Sequence, residues 1–118
     1  MNEAKSASEP VTDLTYLAQF CEGDEARMKV YTKMYVAAVP RFAESVAVAT
    51  EQQDVEALAG LMHSFKPKCL MMGMKKTNEL RAAIEVLCNN EENTPQLYEL
   101  LEQFGQQLAA SVVELEGK

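Results

Sequence analysis

Apolar residues recur at helical spacing along almost the whole chain, and no segment alternates as a half-buried strand would. Leu14, Leu17, Ala18 and Cys21 mark a short first helix within residues 11–22, with Thr12 or Asp13 as its N-cap and Gly23 as its stop. Asp24 can cap a long second helix running to about Ala49, whose inward stripe reads Tyr31, Met34, Tyr35, Ala38, Phe42, Val46 and Ala49. Pro40 falls inside that run; because the periodicity resumes beyond it, the proline predicts a kink near Val36 and not an end. Gln52 to Asp54 leads into a third helix, and Met71 to Lys76 reads as a turn with Gly73 near its start. Thr77 or the residue before it opens a fourth helix carrying Leu80, Ala83, Ile84 and Leu87. After a polar loop at 89–93, Thr94-Pro95 supplies an N-cap and a proline at the first helical position. The last helix then buries Leu97, Leu101, Phe104, Leu108, Val112 and Leu115. Four helices of several turns each, joined by short loops, predict an all-α fold: an antiparallel up-and-down four-helix bundle with a short additional N-terminal helix.

The third helix, EALAGLMHSFKPKCLMMGM from Glu56 to Met74, carries the only histidine of the chain. At about 100° per residue, Leu58, Leu61, Met62, Phe65, Cys69 and Met72 fall on one side and form the buried stripe. His63 lies roughly 140° from the centre of that stripe by the same arithmetic. Its side of the helix holds Ala59, Gly60, Pro67, Leu70 and Met74, with Lys66 at the edge. The histidine is therefore expected to point outward from mid-helix, on a shallow surface of small and apolar residues. Lys66, one turn on, can reach toward whatever the imidazole carries.

H-S-F-K from His63 to Lys66, followed by Gly73, resembles the core motif of histidine-containing phosphotransfer (HPt) domains. The resemblance extends over residues 11–115. It implies a helical bundle whose exposed histidine accepts a phosphoryl group from a receiver-domain aspartate, or from a kinase, and passes it to another receiver in two-component signalling. His63 would be the acceptor and donor, Lys66 would stabilise the phosphate, and Gly73 would be a structural motif position. Receiver domains of response regulators or hybrid kinases would dock on Ala59, Gly60, Pro67, Leu70 and Met74. The Mg²⁺ and the acidic groups of the reaction would belong to the receiver, so no cofactor is expected here. Such a protein is a phosphocarrier and not an enzyme. One position departs from the motif: the residue after the lysine is usually glycine and here is Pro67, which lacks an N–H for the His63 carbonyl and is bulkier toward a partner.

The residue types suit that chemistry. Imidazole is nucleophilic when neutral, and the ordinary histidine pKa of roughly 6.5 leaves an exposed ring mostly neutral near pH 7. Phosphoryl transfer rests on positioning and on neutralising the equatorial oxygens, which is work for a lysine. Lys66, Lys68, Lys75 and Lys76 gather cations near the histidine in a chain whose net charge is −7. That net charge argues against a nucleic-acid partner.

At 118 residues the chain is one domain: a polar tail at 1–10, expected to be flexible, and a single bundle over 11–118. Its first ten residues, acidic and without an apolar segment, do not read as a signal peptide, and no apolar run approaches the ~20 residues of a membrane span. Cys21, Cys69 and Cys88 form no CxxC pair and read as buried thiols in a reducing cytoplasm; the protein is expected to be a monomer. Two other readings stay open: a docking adaptor that binds receivers through the His63 face without being phosphorylated, and a small metal- or redox-sensing bundle using Cys69, His63 and the methionines. No metal site is expected, because the cysteines are scattered and only one histidine is present.

Overall fold

The computed structural model describes residues 9–117, so most of the expected tail, together with Lys118, lies outside the described residues. Among the described residues the fold is all-α, with five helices: α1 (Thr15–Phe20), α2 (Glu25–Glu51), α3 (Val55–Met71), α4 (Lys75–Asn89) and α5 (Pro95–Glu116). The long helices pack α2 on α3, α3 on α4, α4 on α5 and α5 back on α2, which closes a four-membered ring, while α1 lies against α2 and α3. Connections as short as 52–54 and 72–74 leave each long helix room only to turn back beside its predecessor.

Local chemistry starts two of these helices as the sequence predicts. Asp24 accepts hydrogen bonds from the Ala26 and Arg27 amides at 3.0 and 3.2 Å, and Asp54 accepts from the Ala57 amide at 3.0 Å. Thr94 caps α5 ahead of Pro95, although its side chain makes no capping bond. α1 is shorter than expected, since the chain before it is tied elsewhere. The Val11 and Thr12 amides donate to the Glu114 carboxylate at 2.6 and 2.9 Å, and the Asp13 amide donates to the Met72 carbonyl at 3.0 Å.

Two of the four prolines lie inside helices that continue past them: Pro40 in α2 and Pro67 in α3. Each is exposed, and each leaves the carbonyl four residues before it without its usual amide donor.

The rotation of α3 is set by its buried side. Leu58, Met62, Phe65 and Cys69 are all at most 1% exposed. Phe65 sits between Phe42 of α2, stacked at 4.4 Å between centroids, and Phe104 of α5, edge-on at 5.8 Å. Burying a ring of that size stabilises by about 1.5–3 kcal/mol, so α3 cannot turn without losing it. Met72 completes the stripe, whereas Leu61 is only partly buried.

Three inward stripes differ from expectation. In α2, Val39 is buried and Met34 is exposed, while Tyr31, Ala38 and Phe42 are partly buried. In α5, Ser111 is buried and Val112 is only partly so. In α4 the buried residues are Thr77, Arg81, Ile84 and Cys88, and Ala83 faces solvent. Two polar side chains in that stripe rotate α4 away from the apolar pattern. Thr77 is held by Gln107 of α5, at 3.0 Å. Thr77 also lies within the first turns of α4 and does not cap it; Met74 occupies the N-cap, and the turn is confined to 72–74.

Candidate functional site

Because Phe65 and its neighbours face inward, the other side of α3 is open. The His63 side chain is 78% exposed. Lys66, Pro67, Leu70 and Gly60 share this exposed side, and Ala59 lies at its partly buried margin. Leu70 is the largest apolar group there, 54% exposed, and borders a shallow groove lined also by Tyr16 and Gln19 of α1 and Lys75 and Asn78 of α4. Lys66, Lys68, Lys75 and Lys76 are all exposed.

Met74 does not belong to this surface. α3 ends at Met71, and Gly73 (φ +63°) turns the chain, so the helical arithmetic that placed Met74 beside His63 no longer applies. Met74 instead points into the core, where its sulfur lies 3.3 Å from the Tyr35 hydroxyl. Gly73 has a structural reason of its own. Its positive φ favours glycine, and a Cβ there would overlap the Asp13 carbonyl oxygen, so the segment before α1 could not pass over the turn.

Three residues around the site escaped the sequence reading, all on α4. His63 Nδ1 lies 3.1 Å from Glu85 Oε2. The other oxygen of Glu85 accepts from Arg81 Nη1 at 2.7 Å. Arg81, 4% exposed, also donates through Nη1 to the Met62 carbonyl at 3.3 Å and through Nε to Asn78 Oδ1 at 2.7 Å. Asn78, Arg81 and Glu85, spaced i, i+3 and i+7, share one face of α4, and that spacing was the available signal.

The electrostatics of this chain of contacts favour one placement of the proton. Partial burial raises the Glu85 carboxyl, but hydrogen bonds from Arg81 and His63, with their charges, outweigh it and hold the group below its ordinary value of 4.5. An ionised carboxylate only accepts. Nδ1 of His63 must then be the donor, which leaves the lone pair of the neutral ring on Nε2, the nitrogen away from Glu85. The site can therefore offer an exposed imidazole nucleophile with a carboxylate behind it and a lysine one turn away.

Among the described residues, no three of the His, Cys, Asp and Glu side chains gather as a metal ion would require. All three cysteines are buried free thiols, and burial pushes Cys69 up to about 11 despite the opposing charge of Arg81. The metal- or redox-sensing reading thus lacks a donor set among these residues. No described helix is long and apolar enough to cross a membrane.

The crystal structure of histidine-containing phosphotransfer protein B (HptB) from Pseudomonas aeruginosa PAO1 has the same fold as this chain. The two superpose with a TM-score of 0.80 over 93% of this chain and 95% of that one, at 23% sequence identity. No family model matches the sequence, and no curated protein is significantly similar to it. The likeness is one of architecture; what the site can do rests on its own geometry.

Proposed function

We propose that this chain is a phosphorelay intermediate, a phosphocarrier of two-component signalling in which His63 carries the phosphoryl group. The observation that carries this reading is the His63–Glu85 contact. With Glu85 ionised, the contact keeps a proton on Nδ1 and turns Nε2 away from the carboxylate, on a side chain 78% exposed in mid-helix, in a fold shared with a histidine-containing phosphotransfer protein.

In the proposed step, the Nε2 lone pair attacks the phosphorus of an aspartyl phosphate on a receiver domain. An N–P bond forms, the P–O bond to the aspartate breaks, and the aspartate leaves as a carboxylate. The ring gains positive charge while Nδ1 keeps its proton, and ionised Glu85 faces that charge, as a carboxylate does behind the histidine of a hydrolase triad. Lys66 would lie against the equatorial oxygens. Mg²⁺ would come with the receiver, and the chain would turn over nothing by itself. The receiver would rest on Ala59, Gly60, Pro67 and Leu70, a small apolar surface that leaves room for a partner to approach the ring.

The test is transfer from a panel of phosphorylated receiver domains to the wild-type protein and to His63→Gln. The expected result is an acid-labile, base-stable label on the wild type alone. Label that survives the substitution overturns the assignment. A receiver that binds but leaves no label favours the docking-adaptor reading.

A further inference from the structure

Arg81 is out of place in a surface site. It is 4% exposed, and burying a guanidinium is costly unless every donor is engaged. An apolar residue would fill the same position more cheaply, as Ile84 and Cys88 do one and two turns further along the same stripe of α4. Packing therefore does not account for an arginine here. Its three contacts point elsewhere. Asn78 orients the guanidinium from one side through Nε; Nη1 then reaches the carbonyl of Met62, the residue before His63, and the Glu85 oxygen that faces away from the histidine. Without Arg81, nothing on α4 would keep the 21%-exposed Glu85 side chain from turning into solvent.

We propose that Arg81 is a positioning residue for His63: acting through the Glu85 carboxylate and the Met62 carbonyl, it fixes the rotation and the Nδ1–H tautomer of the imidazole so that Nε2 faces the incoming phosphoryl group. This rests on the phosphocarrier reading for its purpose but not for its measurement. The tautomer is read from imidazole ¹⁵N shifts with no phosphate present.

In the wild type, the neutral ring should hold its proton on Nδ1. In Arg81→Met, the Nε2–H form should grow, and transfer from a phosphorylated receiver should slow about tenfold, the loss of one charge-assisted hydrogen bond's worth of orientation. In a Glu85→Ala background, which leaves only the Met62 carbonyl link, the same change should alter both quantities by clearly less than it does in the wild type. A purely structural arginine would slow transfer alike in both backgrounds and leave the tautomer where it was. Should Arg81→Met fail to fold, Asn78→Ala frees the guanidinium from its orienting acceptor and should move the tautomer in the same direction. An unchanged tautomer in whichever of these variants folds overturns the proposal. A wild type with the expected tautomer that accepts no phosphoryl group overturns the phosphocarrier reading and leaves the role of Arg81 standing.

Discussion

On the α4 side of His63, Arg81 is buried, donates to three acceptors and holds a carboxylate against the ring. On the α3 side, Lys66 stands in solvent with no hydrogen bond or ion pair to any described residue, and Pro67 beside it has taken away a backbone donor. Both cations sit within reach of the histidine's helix turn, yet one is committed and the other is free. A side chain held on three protein acceptors can orient the ring but is not free to swing toward a ligand. One that spends none can meet an incoming anion but orients nothing beforehand. The two flanks divide the work of a transfer site into holding and receiving.

The largest difference should appear in stability. Arg81→Met removes charge-assisted bonds at a buried position and should cost about 2–3 kcal/mol in chemical denaturation near neutral pH. This cost is tied to the ionisation of Glu85, whose carboxyl is held below its ordinary value of 4.5. A depressed carboxyl contributes stability that is fully present above its unfolded value and is lost as pH falls through the lower folded one. The gap between wild type and Arg81→Met should therefore narrow below about pH 4.5. A gap that stays constant from pH 7 down to pH 3 would mean that the arginine's contribution comes from packing alone.

Pro67 tests the open flank. An interior proline costs a helix about 3 kcal/mol relative to alanine, offset in part by the freedom that proline removes from the unfolded chain. Pro67→Ala should stabilise the protein by about 1–2 kcal/mol in the same denaturation experiment. Transfer competence should persist, since His63 and its α4 partners are untouched, while the ranking of receivers should change because the ring sits on the docking face. Equal stability and an identical ranking would make the proline neutral and remove it from the docking surface.

How far the site could be read from the chain follows the same division. The outward direction of His63 was legible because Leu58, Met62, Phe65 and Cys69 are apolar at i, i+4, i+7 and i+11, which leaves α3 one way to face the core. Lys66, Pro67, Leu70 and Gly60 came with it, by spacing alone. Met74 did not, because helical arithmetic assumes a helix, and Gly73 ends this one first. The α4 flank was illegible for a different reason. An apolar stripe through Leu80, Ala83, Ile84 and Leu87 assumes that charged residues stay outside, but Arg81 goes inside because Asn78, Glu85 and a carbonyl from another helix satisfy it. Tertiary partners of that kind have no periodicity. Only the shared face of Asn78, Arg81 and Glu85 pointed to them.

Lys66 carries the smallest expected change in stability and the sharpest contrast with Arg81. An exposed lysine without a partner contributes little to folding, so Lys66→Ala should stay within about 0.5 kcal/mol of wild type. It should also leave the His63 tautomer as it is, since nothing connects its ammonium to Glu85. The phosphoryl group is what should feel its loss. With no cation one turn along α3, negative charge on the equatorial oxygens goes unmatched, and transfer at subsaturating receiver should slow, or the phosphohistidine should hydrolyse faster. Arg81→Met should show the opposite pattern, with a shifted tautomer and a lower stability accompanying its slower transfer. If Lys66→Ala moves the tautomer, or leaves both transfer and phosphohistidine lifetime unaltered, the division between an orienting flank and a receiving flank fails at its open side.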